Sequence, residues 1–170
     1  MSVELKPMTL ADVPVLTNLF QLYLYDMSKY MHWPVSAAGG FEFDENIVLA
    51  YFHEAGHHPY FIMQAGEIAG FALVRQYPYD ATLIDMGQFF VLGKFTRQRL
   101  GQEALKTCLK LHPGDWQVRV LSKNAGALAF WTKTISELTN ATHRTCSGDY
   151  QGTEMTFLHF SSQNALASSS

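Results

Sequence analysis

At 170 residues, 48% hydrophobic and 16% charged, the chain is the size of one domain and holds enough apolar material for a core, which argues against a disordered or disulfide-built protein. Twelve Lys and Arg against fifteen Asp and Glu leave a net charge of −3, which argues against a dedicated nucleic-acid binder held by phosphate contacts. Cys108 and Cys146 lie 38 residues apart without a CxxC spacing, so two separate reduced thiols are expected, and with no leader pattern and no apolar run of ~18 residues the protein is expected to be cytoplasmic, with no membrane partner.

From Met8, Thr9 reads as an N-cap, and Val13, Leu16, Leu19, Phe20, Leu22 and Tyr23 recur at the spacing of one long amphipathic helix. The segment WPVSAAGG breaks it, and FDENIVLAYFHEAG reads as a second, shorter helix ending at Gly56. After His57 the texture becomes β-rich: PYFIMQ, IAGFALVRQY and TLIDMGQFFVL, separated by turn residues, predict three antiparallel strands in a meander. Leu100, Ala104, Leu105, Cys108, Leu109 and Leu111 then mark a helix stopped by Pro113-Gly114. WQVRVL reads as a strand, NAGALAFWTKTISEL as a helix, and ATHRTC and GTEMTFLHF as a closing hairpin. The fold class expected is therefore α/β of the α+β kind: a mixed, mostly antiparallel sheet flanked by helices, with a strand–helix–strand crossover across 82 to 121 making one parallel pair. Residues 1–160 are expected to form a single domain and residues 161–170 a disordered Ser-rich tail.

His53-Glu54-Ala55-Gly56-His57 has the H-E-x-x-H spacing of zinc peptidases, in which two imidazoles one helical turn apart bind the metal and the Glu activates its water. That chemistry needs a helix running through both histidines, and Gly56 and Pro59 predict that it ends sooner, so no metal site is expected and a zinc metallopeptidase is a remote alternative. His57 and His58 are then expected near the last carbonyls of the helix. Gly87 to Lys94 misses the phosphate-loop spacing, and no G-x-S-x-G elbow exists. The informative stretch is 94 to 110, where Lys94, Arg97, Arg99, Lys106 and Lys110 face a single acid, Glu103. A basic cluster at a strand-to-helix turn is an anion site in outline, because helix N-terminal amides have no intrahelical acceptor and Gly101 permits close approach.

Thr96-Arg97-Gln98-Arg99-Leu100-Gly101 resembles the acyl-CoA-binding motif Arg/Gln-x-x-Gly-x-Gly/Ala of the GNAT N-acetyltransferases, with Thr96 in place of Arg or Gln and Arg99 in place of the first Gly. Asn124-Ala-Gly-Ala127-Leu-Ala-Phe130-Trp131 is similar to that family's later motif, N-x-x-A-x-x-F/L-Y/W, and the element order agrees along about 150 residues. The resemblance implies that the family's fourth and fifth strands splay apart. Acetyl-CoA as co-substrate would then be held by Phe90, Val91, Arg97, Gln98, Arg99, Leu100, Gly101 and Gln102, with Asn124 and Phe130 on the later helix. It implies direct transfer of acetyl to a small-molecule amine or a protein amino group; pairing into homodimers is common in the family. The fourth-strand position that often carries a catalytic Glu holds Gln88, and the usual Tyr acid is replaced by Trp131. Asp85 is expected to substitute as base through a water, a bulge at Gly87 bringing it to the face of Gln88. Tyr25, Tyr30, His32 and Trp33 are expected to line the acceptor pocket. A non-catalytic acyl-CoA-binding or sensor module of the same fold is the alternative function.

Overall fold

A computed structural model describes residues 2–167. The described residues build one seven-stranded sheet in the order β1-β2-β3-β4-β5-β7-β6. The strands are β1 (Val3–Pro7), β2 (His57–Gln64), β3 (Glu67–Tyr77), β4 (Asp80–Val91), β5 (Asp115–Leu121), β6 (Arg144–Tyr150) and β7 (Thr153–Ser161). Neighbours pair antiparallel except β4 and β5, the parallel pair expected from the crossover.

Helices α1 (Val13–Met31) and α2 (Asn46–His53) cover one face, and α3 (Leu100–Leu111), α4 (Ala125–Thr139) and α5 (Ser162–Ala167) the other. Each face has its own core. Leu16, Phe20 and Leu24 of α1, spaced by one turn, pack with Val48 and Tyr51 against Phe61, Phe71 and Leu73. On the opposite face Leu100, Ala104, Leu105, Cys108 and Leu109 of α3 and Ile135 of α4 pack against Ala72, Val74 and Met86.

The chain enters α1 through a short 3-10 turn, where the Asp12 carboxylate accepts from the Thr9 N–H at 2.8 Å and hydroxyl at 3.1 Å. Strand β1 was not expected. Its signal was a faint alternation, Val3 and Leu5 inward against Glu4 and Lys6 outward, and pairing with β2 rather than propensity makes it a strand. The expectation of a disordered tail is corrected over 162–167: β7 runs to Ser161, and the Ser162 hydroxyl accepts from the Gly114 N–H at 2.8 Å, starting α5, whose Ala165 is buried among α3 and α4. The rest of that segment, 168–170, lies outside the described residues.

Candidate functional site

Strands β4 and β5 pair only where Leu83–Met86 meets Asp115–Val118, and then part. The cause is on β4: Leu73 opposes Gln88 and Val74 opposes Met86, so Gly87 is an extra residue that bends the strand away. Glycine is required there, because a Cβ would fall on the Tyr51 hydroxyl. The bulge places Gln88 opposite Leu73 and Asp85 opposite Arg75, on one face of the sheet as expected. Beyond it opens a cleft of about 1090 Å³ that passes between the parted strands and is lined from both faces.

On the α3/α4 face, Arg97, Arg99, Leu100, Gly101 and Gln102 line the cleft together with Val91, Asn124 and Phe130, whereas Phe90, which also lines it, packs its ring on the opposite face. Gln98 does not; its side-chain amide turns back to donate to the Lys94 carbonyl at 3.1 Å. The first intrahelical bond of α3 runs from the Glu103 N–H to the Arg99 carbonyl, leaving the preceding amides for an outside acceptor. Arg97 and Arg99 have φ of 64° and 58°, the left-handed region costly for a residue with a Cβ. Strain of this kind persists where surroundings impose it, often at ligand clamps. The basic cluster is narrower than expected: Lys94 is tied to Glu67 at 2.6 Å, and Lys106 and Lys110 do not line the cleft, whereas Arg97 and Arg99 are unpaired among the described residues. Asn124 caps α4 by accepting from the Ala127 N–H at 3.0 Å, a physical reason for Asn at that place.

The α1/α2 face supplies Tyr23, Asp26, Tyr30 and Trp33, with Tyr150 and Gln151 from the β6–β7 hairpin. Of the residues expected to line an acceptor pocket, Tyr30 and Trp33 line this cleft, but Tyr25 is 70% exposed outside it, and His32 does not line it, being the left-handed residue that ends α1. Tyr23, not counted among the expected pocket residues, packs on Phe71 and Phe90, and burial pushes its phenol up to about 12.

Asp85 is not placed as a base. It is 0% exposed, and its carboxylate accepts from Arg75 Nε at 2.9 Å, Arg119 Nη2 at 3.0 Å, Arg119 Nε at 3.2 Å and Gln117 Nε2 at 3.2 Å. Both oxygens are engaged and neither faces the cleft, so the water route expected of Asp85 is closed. Its task is to hold two guanidiniums. Arg75 Nη2 in turn donates to the Tyr150 hydroxyl at 3.1 Å, and the Arg119 guanidinium lies 4.0 Å from the centre of the Tyr150 ring.

Sequence reasoning passed over Arg75, Arg119 and Tyr150. A signal was present for the arginines: single cations inside the apolar runs FALVRQY and WQVRVL require a buried partner, and Asp85 is the lone acid in TLIDMG. For Tyr150 the signal was the Gln151-Gly152 turn, with φ of 51° and 82°, which lets β6 run on to residue 150.

The H-E-x-x-H geometry does not form. Helix α2 ends at His53, Glu54 is extended, Gly56 has φ of 74°, and His57 begins β2, so the two imidazoles belong to different elements. The expectation that His57 and His58 sit at the helix's last carbonyls is corrected by the same strand. Among the described residues no group of three or more His, Cys, Asp or Glu is gathered as for a metal ion, and no helix is long and apolar enough to cross a membrane.

The family model of the GNAT acetyltransferases matches residues 20–135. No curated protein matches the chain in sequence. An acetyltransferase from Thermus thermophilus shares the fold with a TM-score of 0.69 at 17% identity, over 95% of this chain and 97% of that one. An aminoglycoside acetyltransferase in complex with coenzyme A gives 0.69 at 14%, over 99% and 100%. A spermidine N-acetyltransferase from Vibrio cholerae in complex with CoA and spermine gives 0.67 at 12%, over 97% and 98%. At these identities the likeness carries the fold alone.

Proposed function

Because the chain belongs to the GNAT family of acetyltransferases, which use acetyl-CoA, we propose that it is an N-acetyltransferase moving the acetyl group directly to an amine bound in the same complex. The observation that carries this reading is the parting of β4 and β5 at the Gly87 bulge, which opens one cleft to both faces of the sheet. A long thioester can enter from the α3/α4 face and an amine from the α1 face, meeting where the strands divide.

The residues fit the co-substrate. Unpaired Arg97 and Arg99 and the open amides of α3 suit a pyrophosphate, and the apolar side chains of Val91 and Phe130, beside the parted backbone at Phe90, suit a pantetheine arm. Bound acetyl-CoA supplies an activated carbonyl. The amine nitrogen forms the new bond to that carbon, the C–S bond breaks, and of the protons the nitrogen gives up one ends on the CoA sulfur and the other in solvent. A thiol of pKa about 8.5 leaves without help, so Trp131, packed edge-on against Phe89 at 5.0 Å, is tolerated in place of an acid. The Tyr150 hydroxyl, accepting from Arg75 and lining the cleft, is the phenol best placed to return a proton. Gln88 orients the acceptor through its amide. Asp26 is the carboxylate on the acceptor side and takes the amine's proton through water.

A non-catalytic acyl-CoA sensor is kept as the second reading because Gln88 cannot titrate and Asp85 is sealed. Thermal melting with acetyl-CoA, followed by CoA-thiol release over a broad amine panel, tests both. A stabilisation that grows with ligand concentration, about 2.7 kcal/mol at a hundredfold excess over Kd, together with amine-dependent thiol release, supports the enzyme. Stabilisation without release from any amine, for wild type and Gln88→Glu alike, supports the sensor. No stabilisation at millimolar ligand ends both.

A further inference from the structure

The cluster at the point where β4 and β5 divide does not balance its charge. Arg75 and Arg119 are permanent cations, with side chains 16% and 5% exposed, and Asp85 is the one carboxylate between them. The other groups facing them are neutral. Burial pushes the phenols of Tyr23, Tyr51 and Tyr77 up, so they keep their protons. Burial, and then the nearby Arg144 charge, hold His159 below its ordinary value, and its Nε2 lies 2.9 Å from the Gln117 side-chain amide oxygen. Asp26 at the mouth is matched by Lys29 at 3.1 Å. One positive charge is left over on two largely buried guanidiniums, a costly arrangement without an anion.

Arg119 also has the means to receive one. Its Nε and Nη2 are spent on Asp85, with Nη2 also 3.5 Å from the Gly87 carbonyl, while Nη1 makes no hydrogen bond to a described residue and the side chain lines the cleft. The Tyr150 ring at 4.0 Å and the Tyr77 ring at 5.9 Å fix the plane of the guanidinium. We infer that Arg119 is a specificity residue that binds the carboxylate of the acceptor, and that the acceptor class is amines bearing a carboxylate close to the nitrogen, as in α-amino acids. The closeness follows from Gly87: the guanidinium that holds the anion sits beside the bulge where the strands divide, the place to which the nitrogen must come.

This inference rests on the N-acetyltransferase reading, and its test separates the two. Wild-type protein loaded with acetyl-CoA is given each of several amino acids alongside its amide, which keeps size and loses the charge, and alongside its decarboxylated amine. The expected result is a kcat/KM about 10- to 100-fold higher for the acid than for either analogue in at least one series, the scale of a charged hydrogen-bonded pair. Arg119→Lys, which keeps the charge, should raise KM for the acid while the thermal shift with acetyl-CoA stays as in wild type. Should that variant fail to fold, the wild-type comparison decides alone. Equal or better use of the amide or amine overturns the inference and leaves the N-acetyltransferase intact. If no amine turns over, calorimetry of acid against amide on CoA-loaded protein decides: tighter binding of the acid supports the carboxylate site without catalysis, and no preference overturns it.

Discussion

The Cζ of Phe130 stands 2.8 Å from where a Cβ on Gly101 would lie. The motif glycine of α3 is therefore crowded by a ring of α4 as well as lining the cleft. Gly101 lets α3 and α4 close against each other, and Phe130 lines the cleft while filling the space.

Gly101→Val should accordingly cost about 1–3 kcal/mol of stability by overpacking, as well as weaken acetyl-CoA binding. Gly101→Ala combined with Phe130→Leu should recover part of the loss, a non-additive pair in denaturant unfolding. Additive losses would mean that the two residues do not share this contact.

Arg99 takes φ of 58° at a position where the resembled motif carries Gly. Arg99→Gly should raise stability by about 0.5–1 kcal/mol, the relief of left-handed strain less the entropy that Gly adds to the unfolded chain. Acetyl-CoA affinity should fall at the same time and become less sensitive to salt, since a cleft-lining charge proposed to meet a phosphate is gone. Calorimetry at two ionic strengths reads both effects.

Asp85→Asn should act as a structural lesion. Removing the carboxylate leaves two buried guanidiniums without their anion, a loss of about 3–5 kcal/mol in equilibrium unfolding. A stable Asp85→Asn protein with turnover reduced by ~10² would instead restore Asp85 as a base.

His58 and His112 pack with ring centres 4.4 Å apart and planes tilted by 34°, and the Tyr60 hydroxyl lies 2.7 Å from His112 Nε2. Burial, and then the neighbouring imidazole of His57 for His58 and of His58 for His112, lowers both from their ordinary value. The unfolded chain therefore binds more protons than the folded one below about pH 6.5, so stability is complete above that pH and falls as acid is added. His58→Gln should flatten the dependence of Tm on pH between about 7 and 5; an unchanged slope would place the titrating groups elsewhere.

Much of the architecture was legible in the chain because local periodicity reports burial directly. Apolar spacing marked α1 and α3, turn residues marked the meander, and the crossover rule made β4 and β5 parallel before any coordinates. Gly87 between Asp85 and Gln88 was readable as a bulge because glycine inside a strand has few other uses. That Phe90, Val91, Gly101 and Asn124 line one cleft was reachable because each motif is a run of neighbours, whose relation the backbone sets. What only the tertiary structure decided was every relation between residues distant in sequence. Arg75, Asp85 and Arg119 come from three strands, and Tyr150 from the end of a fourth; no local pattern links them. Asp85 looked like an available acid because a sequence shows the type of a charge and not its partners, and the two arginines that enclose it were visible only as interruptions in apolar strands. Burial at a strand crossing is a property of the assembled sheet, and it turned the expected base into the counterion that holds Arg119 at the head of the cleft.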